Sequence, residues 1–125
     1  MKIAYAYSWF LSLESCGQCV SCKTGCNEIT NRLKNLESAS GTNEDLQEIK
    51  TQCDTVETGR ICYLAAEENL LVRSVCREYW KEFVAHVGHP CAYSRKIGLP
   101  KMIDFDESKN QFSYDTTYQG KELLP

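Results

Sequence analysis

Length, composition and charge place this chain among ordinary globular proteins. It has 125 residues, of which 42% are hydrophobic and 25% charged, and its net charge is −3, which suits one domain with a modest core. The negative charge and the scattered basic residues exclude a typical nucleic-acid-binding protein. Eight cysteines are many for this length. They indicate either disulfides in an oxidising compartment or bound metal in a reducing one.

The first predicted helix spans residues 3–14. It is apolar on most sides, so we expect neighbouring helices to cover it. A lysine followed by an apolar run is also typical of a signal peptide. Here, however, tyrosines and a tryptophan replace the usual leucines, and the run ends at Glu14. The run is too short to span a membrane. A buried helix is therefore the preferred interpretation, and no direct membrane insertion is expected.

Three cysteines follow at every third position, in a predicted loop bracketed by Gly17 and Gly25. Thiols this close to one another pair only under strain, whereas thiolate-rich sites select zinc, Cu(I) or iron–sulfur clusters. The C-x2-C-x2-C run is typical of cluster proteins, and zinc sites more often have two separated C-x2-C pairs. The stretch therefore favours a cluster over zinc, with three ligands: Cys16, Cys19 and Cys22.

Three more helices are predicted from apolar residues that recur every three or four positions. The second helix covers residues 24–39 with Thr24 as its N-cap. The third begins at residue 42 or 43 and ends at Gly59, and the fourth covers about 67–87. Short connections favour an all-α fold, a small antiparallel four-helix bundle that carries the cysteine-rich loop. The apolar stripes are Cys26, Ile29, Leu33 and Leu36; Leu46, Ile49, Cys53 and Val56; and Val72, Val75, Cys76, Tyr79, Phe83 and Val87.

The pattern changes after the last helix. We therefore expect a helical iron–sulfur domain over residues 1–90 and an extended tail over 91–125. Within the tail, residues 102–106 and 111–114 alternate apolar and polar around a polar turn, which predicts a short β-hairpin. Residues 115–125 are expected to be extended or disordered.

A cubane cluster needs a fourth thiolate. Cys26 completes a C-x2-C-x2-C-x3-C spacing that is known from bacterial ferredoxins, but Asn27 stands where proline is usual and no second run is present. Cys26 also fits the apolar stripe of its helix, as Cys53 and Cys76 fit theirs, so a packing role is preferred for all three. Cys62 lies in a short connection between helices and is the best remaining fourth ligand.

Positive charge near the loop would offset an anionic cluster. The start of the second helix, at residues 24–27, would direct free backbone N–H groups toward it. Lys23 and Arg60 are adjacent cations, and such charges raise a cluster's potential. Ordinary solvated roles for both side chains fit the sequence equally well.

Three stretches together are similar to a known family: Glu14-Ser15-Cys16-Gly17-x-Cys19-x-x-Cys22-Lys23-x-Gly25, Asn43-Glu44-Asp45-Leu46 and Gly59-Arg60-x-Cys62. Over about residues 9–87 the chain resembles the C-terminal iron–sulfur domain of the NADH-binding flavoprotein subunit of respiratory complex I. Related NAD-linked hydrogenases and formate dehydrogenases contain the same domain. The resemblance implies a small helical bundle that holds one [4Fe–4S] cluster and accepts electrons from FMN. It assigns the ligands as Cys16, Cys19, Cys22 and Cys62.

The sequence departs from that family in identifiable ways. Val20-Ser21 replaces Thr-Pro within the cysteine run, and Lys23 replaces Arg. The family's FMN- and NADH-binding region lies upstream of this domain, and no glycine-rich nucleotide loop occurs in these 125 residues. Cys26 is an additional thiol that could compete for iron.

The leading functional hypothesis is an electron-transfer subunit or module with no catalytic site of its own. It would relay single electrons between a flavoprotein or other NAD(P)H-linked redox subunit and further redox centres of a larger oxidoreductase complex. We expect a cytoplasmic location, peripheral to a membrane complex, and no nucleic-acid partner. Three alternatives stay open: a zinc-stabilised interaction module with the same four cysteines, a secreted disulfide domain, and a truncated fragment of an NADH dehydrogenase flavoprotein.

Overall fold

The computed structural model describes residues 1–93 and 101–115. These residues form a helical bundle followed by one two-stranded hairpin, so the expected all-α class and the hairpin in the tail are confirmed. The prediction for residues 116–125 lies outside the described residues. The helices are α1 (Lys2–Glu14), α2 (Val20–Glu37), α3 (Asn43–Thr55), α4 (Leu64–Glu78) and α5 (Trp80–Ala85), and the strands are β1 (Met102–Asp106) and β2 (Gln111–Tyr114).

Four helices pack in a closed ring. Helix α1 contacts α2 and α4, and α3 contacts the same two helices from the other side. The stripes of α2 and α3 predicted from spacing are buried in the centre of this ring, where Ile29, Leu33 and Leu36 have no exposed surface. A second, smaller cluster at the cysteine end consists of Cys22, Cys26, Val56 and Ala65. The bundle therefore has one main core and a satellite core next to the candidate site.

Helix α3 begins with a capping box. The Thr42 side chain accepts a hydrogen bond from the Asp45 backbone N–H, and the Asp45 carboxylate accepts one from the Thr42 backbone N–H at 2.7 Å. Arg32 and Asn35 of α2 donate to the same carboxylate at 3.1 and 3.2 Å. Burial alone raises the pKa of Asp45, but these hydrogen bonds outweigh it and hold the pKa below its ordinary value. The box thus fixes the start of α3 and its contact with α2.

Two helix boundaries differ from the prediction. Helix α2 begins at Val20 with Cys19 at its N-cap, four residues before Thr24. The Thr24 hydroxyl donates to the Val20 carbonyl within the helix, so Thr24 is not the cap. The predicted fourth helix is broken at Tyr79, whose backbone leaves helical geometry at φ −117° and ψ 29°. Helix α5 follows at once. Phe83 is fully buried as predicted, whereas Tyr79, which was predicted on the same apolar stripe, is exposed.

Helix α1 is confirmed at residues Lys2–Glu14, but it is covered less completely than expected. Ala4, Ser8, Leu11 and Ser12 are buried, whereas Ile3 and Tyr7 are exposed. The buried side of α1 therefore includes two serines. Among the described helices, none is both long enough and apolar enough to cross a membrane.

The hairpin pairs β1 with β2 in antiparallel register, with an irregularity between Met102 and Asp104. Its turn is held by Asp106, whose carboxylate accepts hydrogen bonds from the backbone N–H groups of Ser108 and Lys109 at 3.0 and 3.2 Å. Lys101 precedes β1 and forms an ion pair with Glu14 at 3.1 Å. This ion pair links the start of the hairpin to the end of α1, two residues before Cys16.

Candidate metal centre

The three closely spaced cysteines lie around the beginning of α2, not within one loop as expected. Cys16 is exposed in the connection from α1, Cys19 is half-buried at the N-cap, and Cys22 is buried in the first helical turn. The first intrahelical hydrogen bond runs from the Lys23 N–H to the Cys19 carbonyl. The free N–H groups and the positive end of the helix dipole therefore belong to residues 20–22, among the cysteines themselves.

Cys22 is held by its neighbours. The Ser15 hydroxyl lies 3.3 Å from Cys22 Sγ, within hydrogen-bonding distance for sulfur. One turn further along α2, the Cys26 thiol is near enough for Cys22 to affect its pKa. Val56 and Ala65, from the end of α3 and the start of α4, complete this packing. The sulfur of Cys22 thus has a fixed position between the site and the satellite core.

Lys23 connects the end of α1 to the start of α2. Its Nζ donates to the backbone carbonyls of Ser12 at 2.9 Å and Ser15 at 3.2 Å. The last four carbonyls at a helix C-terminus lack intrahelical partners, so Lys23 satisfies two of them and brings a positive charge beside the cysteines. Arg60 pairs with Glu57 at 3.2 Å and lies over the ring of Tyr63. Both cations therefore have structural contacts near the site.

The segment before Cys62 lies against the cysteine run. The backbone N–H of Ile61 donates to Cys19 Sγ at 3.3 Å, and the Ser21 hydroxyl donates to the Thr58 carbonyl. These contacts join residues that are 42 and 37 positions apart in the chain. Cys62 itself is exposed. The fold thus brings the segment that carries Cys62 to the other three cysteines.

The donor chemistry fits an iron–sulfur cluster, since all four side chains are soft thiol ligands. The Ile61–Cys19 contact also supplies an N–H donor to sulfur of the kind that accompanies such clusters. As the side chains are placed, no three His, Cys, Asp or Glu residues within 1–93 and 101–115 form a group close enough to hold a metal. The assignment of all four cysteines as ligands of one centre therefore stays a prediction.

The other cysteines are in different surroundings. Cys26, Cys53 and Cys76 are buried in the bundle, as their stripe positions predict. Burial raises the pKa of all three thiols, to about 12 for Cys53 and about 11 for Cys76. Cys91 is half-buried, and His86 is hydrogen-bonded through Nδ1 to the Glu82 carbonyl at 2.7 Å. All eight cysteines are free thiols in this structure.

One buried polar residue near the site, Glu68, was not identified from the sequence. Glu68 of α4 has no exposed surface, and its Oε1 accepts a hydrogen bond from Ser8 of α1 at 2.5 Å. Its Oε2 has no hydrogen-bond partner among residues 1–93 and 101–115. The spacing of Ala65, Glu68, Val72 and Cys76 places Glu68 on the buried stripe of α4, so helical periodicity alone contained the signal.

Comparison with known protein families tests the resemblance that the three motifs indicate. A family model described as the NADH-ubiquinone oxidoreductase-F iron–sulfur binding region matches residues 2–86, well over half of the chain. The chain belongs to this family. The resemblance inferred from the three motifs is thereby confirmed, and the cofactor of this iron–sulfur family is a [4Fe–4S] cluster.

Curated relatives, all subunits of NADH-quinone oxidoreductase, agree with the family assignment. The relative in Rhizobium meliloti (strain 1021) is 28% identical over 87 residues, which cover 70% of this chain and 21% of that protein. The relative in Aquifex aeolicus (strain VF5) is 28% identical over 83 residues, covering 66% and 20%. The relative in Mycobacterium bovis (strain ATCC BAA-935 / AF2122/97) is 28% identical over 91 residues, covering 72% and 20%. The chain thus spans about a fifth of each relative's length.

Proposed function

We propose that the chain is a single-cluster electron relay within a larger oxidoreductase complex, with Cys16, Cys19, Cys22 and Cys62 as ligands. The observation that carries this proposal is the Ile61–Cys19 hydrogen bond, because it brings the distant Cys62 segment to the cysteine run. Membership in the iron–sulfur family supports an electron-transfer module. When bound, a [4Fe–4S] cluster supplies one-electron chemistry without a general acid or base.

The residues around the thiols would tune the potential of such a centre. The Ile61 N–H donates to Cys19 sulfur, and the Ser15 hydroxyl lies 3.3 Å from Cys22 sulfur, where it would donate to a thiolate. Hydrogen bonds to sulfur raise the potential of an iron–sulfur site. Lys23 adds a positive charge that its two carbonyl contacts hold in place. The chain thus supplies the donor set, local positive charge and a rigid helical support.

The rim of the site supports contact with a protein partner. Val20 and Ile61 are apolar, flank the cysteines and are 74% and 73% exposed, and Tyr63 beside them is exposed as well. Exposed apolar groups around a functional site are typical of interaction surfaces. We infer that a flavin- or NAD(P)H-linked redox subunit docks here, and that the complex is cytoplasmic and peripheral to a membrane. We also retain the division into a helical domain over 1–90 and a tail over 91–125.

Iron and acid-labile sulfide analysis of anaerobically purified protein, with EPR of the reduced form, tests the proposal. We expect about four iron and four sulfide per chain and a reduced-cluster signal. A colourless protein with stoichiometric zinc would instead support the interaction-module alternative. Loss of the first residues together with absence of free thiols would support the secreted disulfide alternative.

Two matched variants test the ligand set. Cys62→Ser should lose the cluster or convert it, because a hydroxyl is a poor replacement for thiolate. Cys26→Ala should retain it, since this change keeps a fully buried position apolar. Retention of four iron by Cys62→Ser, with loss by Cys26→Ala, would overturn the assignment of Cys62.

A further inference from the structure

Glu68 is the most unusual charged side chain in the bundle. It has no exposed surface, and within the part of the chain that the structure describes its Oε2 has no hydrogen-bond partner. A fully buried carboxylate without a paired cation is costly, and a neutral carboxylic acid avoids most of that cost. The structure therefore favours a carboxyl group that binds a proton readily.

A chain of hydroxyl groups connects this carboxyl to α2. Ser8 donates to Glu68 Oε1 at 2.5 Å and lies 2.7 Å from the Thr30 hydroxyl. Thr30 in turn donates to the backbone carbonyl of Cys26 at 2.7 Å. Cys26 is one helical turn from Cys22, a ligand in the proposed site. Glu68 is thus linked through Ser8 and Thr30 to the turn of α2 that follows Cys22.

Electrostatic interactions also connect Glu68 to α2 and α3. Charge on Glu68 raises the pKa of the Cys26 thiol of α2 and of the Cys53 thiol of α3, in addition to the larger effect of burial. Burial raises the pKa of Glu68 itself to about 7, and the hydrogen bond from Ser8 lowers it only in part.

Helices α1, α2 and α3 each present polar or titratable groups to the surroundings of Glu68. Helix α1 presents the Ser8 hydroxyl, α2 presents the Thr30 hydroxyl and the Cys26 thiol, and α3 presents the Cys53 thiol. The cation that acts on Cys26 is Lys23. Its Nζ is bonded to backbone carbonyls rather than to Glu68.

We propose that Glu68 takes up a proton when the neighbouring cluster site gains an electron, so that proton binding and reduction are coupled. This proposal rests on the relay function and ligand set proposed above. The electron comes from a one-electron reductant, and the proton comes from water. The O–H bond of Glu68 forms, and reoxidation releases the same proton. Added negative charge at the cysteines stabilises the neutral acid relative to the carboxylate, which gives the direction of the coupling.

The coupling predicts a pH-dependent reduction potential. An anionic cluster raises the affinity of Glu68 for a proton in both oxidation states. The pH range in which the reduction potential depends on pH, here called the window, therefore lies at or above neutral pH. Within the window the reduction equilibrium constant should fall as pH rises, approaching tenfold per pH unit, or about 59 mV for one electron. Below the window the potential should be constant, because Glu68 is then neutral in both states.

EPR-monitored redox titration of the iron-loaded protein across this pH range tests the proposal. Glu68→Gln should give a pH-independent potential equal to the low-pH limit of the wild type, because glutamine mimics the neutral acid. Glu67→Gln, which removes an exposed carboxylate next in sequence, should keep the wild-type pH dependence. A pH-independent wild type, or a Glu68→Gln protein with the wild-type slope, would overturn the proposal.

A second measurement does not depend on the variant folding. Redox-difference infrared spectra of the wild type within the window should show a protonated carboxyl band that appears on reduction. Absence of this band would refute proton uptake by a carboxyl group. A protein purified without iron would remove the relay function itself, whereas an iron-loaded protein with neither pH dependence nor a carboxyl band would refute only the role of Glu68.

Discussion

Substitution of Gly25 by alanine tests whether close helix packing assembles the site. Gly25 lies in α2, one turn after Cys22, against Val56 at the end of α3. A Cβ atom at Gly25 would lie 2.9 Å from Val56 Cγ2 and 3.1 Å from Val56 Cβ. Val56 is fully buried, and a β-branched side chain has little freedom to turn away. The methyl group would therefore push the end of α3, and with it the segment toward Cys62, away from α2.

The expected magnitude combines two opposing effects. Alanine in a helix interior gains about 1 kcal/mol over glycine, while overpacking of a close-packed core costs about 1–3 kcal/mol. We expect Gly25→Ala to lower the free energy of unfolding by about 1 kcal/mol. Val56→Ala alone should cost about 2 kcal/mol for two buried methyl groups. In the double variant Cγ2 is gone, so the combined cost should fall short of the sum by roughly 1 kcal/mol.

Urea unfolding followed by far-UV circular dichroism, with iron per chain measured on each preparation, checks these values. Thr24→Ala is the control, because this neighbouring position is exposed and the alanine meets no core contact. Gly25→Ala should also retain less iron than the wild type, and the double variant should recover part of it. A Gly25→Ala protein as stable as Thr24→Ala, or strictly additive substitutions, would refute the packing argument.

Three further predictions concern charged groups. Asp45→Asn should lower stability near neutral pH, and the deficit should shrink as pH falls through the lowered pKa of Asp45, which acid-dependent urea titrations would show. Glu68→Gln should stabilise the cluster-free protein by up to about 3 kcal/mol at pH 8 and little at pH 4. The folded-state pKa of Glu68 is raised from 4.5 to about 7, so the stability of the wild type falls between these two pH values. The same stability difference between variant and wild type at both pH values would contradict this. Lys23→Met should cost about 1–2 kcal/mol through loss of two charge-assisted hydrogen bonds, measured by urea unfolding against Lys34→Met, which removes an exposed lysine of the same helix.

Helical periodicity was sufficient to predict the buried stripes of α2 and α3, because three-and-four spacing directly reflects which side of a helix faces the core. It did not give the start of α2. The three-residue spacing of the cysteines indicates metal ligands, but three residues are also close to one helical turn. Cys22 belongs both to the cysteine run and to the first turn of α2. Thr24 has the composition of a cap, but its hydroxyl bonds back to Val20 within the helix.

The break at Tyr79 could not be predicted from local sequence, since neither glycine nor proline marks it. The residues that follow the break make tertiary contacts instead: Phe83 is fully buried, and Lys50 of α3 lies over the ring of Trp80 at 3.8 Å. The approach of Ile61 to Cys19 is likewise a long-range contact. Cysteine chemistry and resemblance pointed to Cys62, but only the packing of α3 and α4 explains how its segment reaches the cysteine run.

The distribution of the proposed ligands along the chain has a consequence for metal binding. Cys16, Cys19 and Cys22 lie within seven residues around the start of α2, whereas Cys62 lies 40 residues after Cys22, beyond α3. Binding by all four thiols therefore requires α3 to be packed against α2, whereas three of them need only the start of α2.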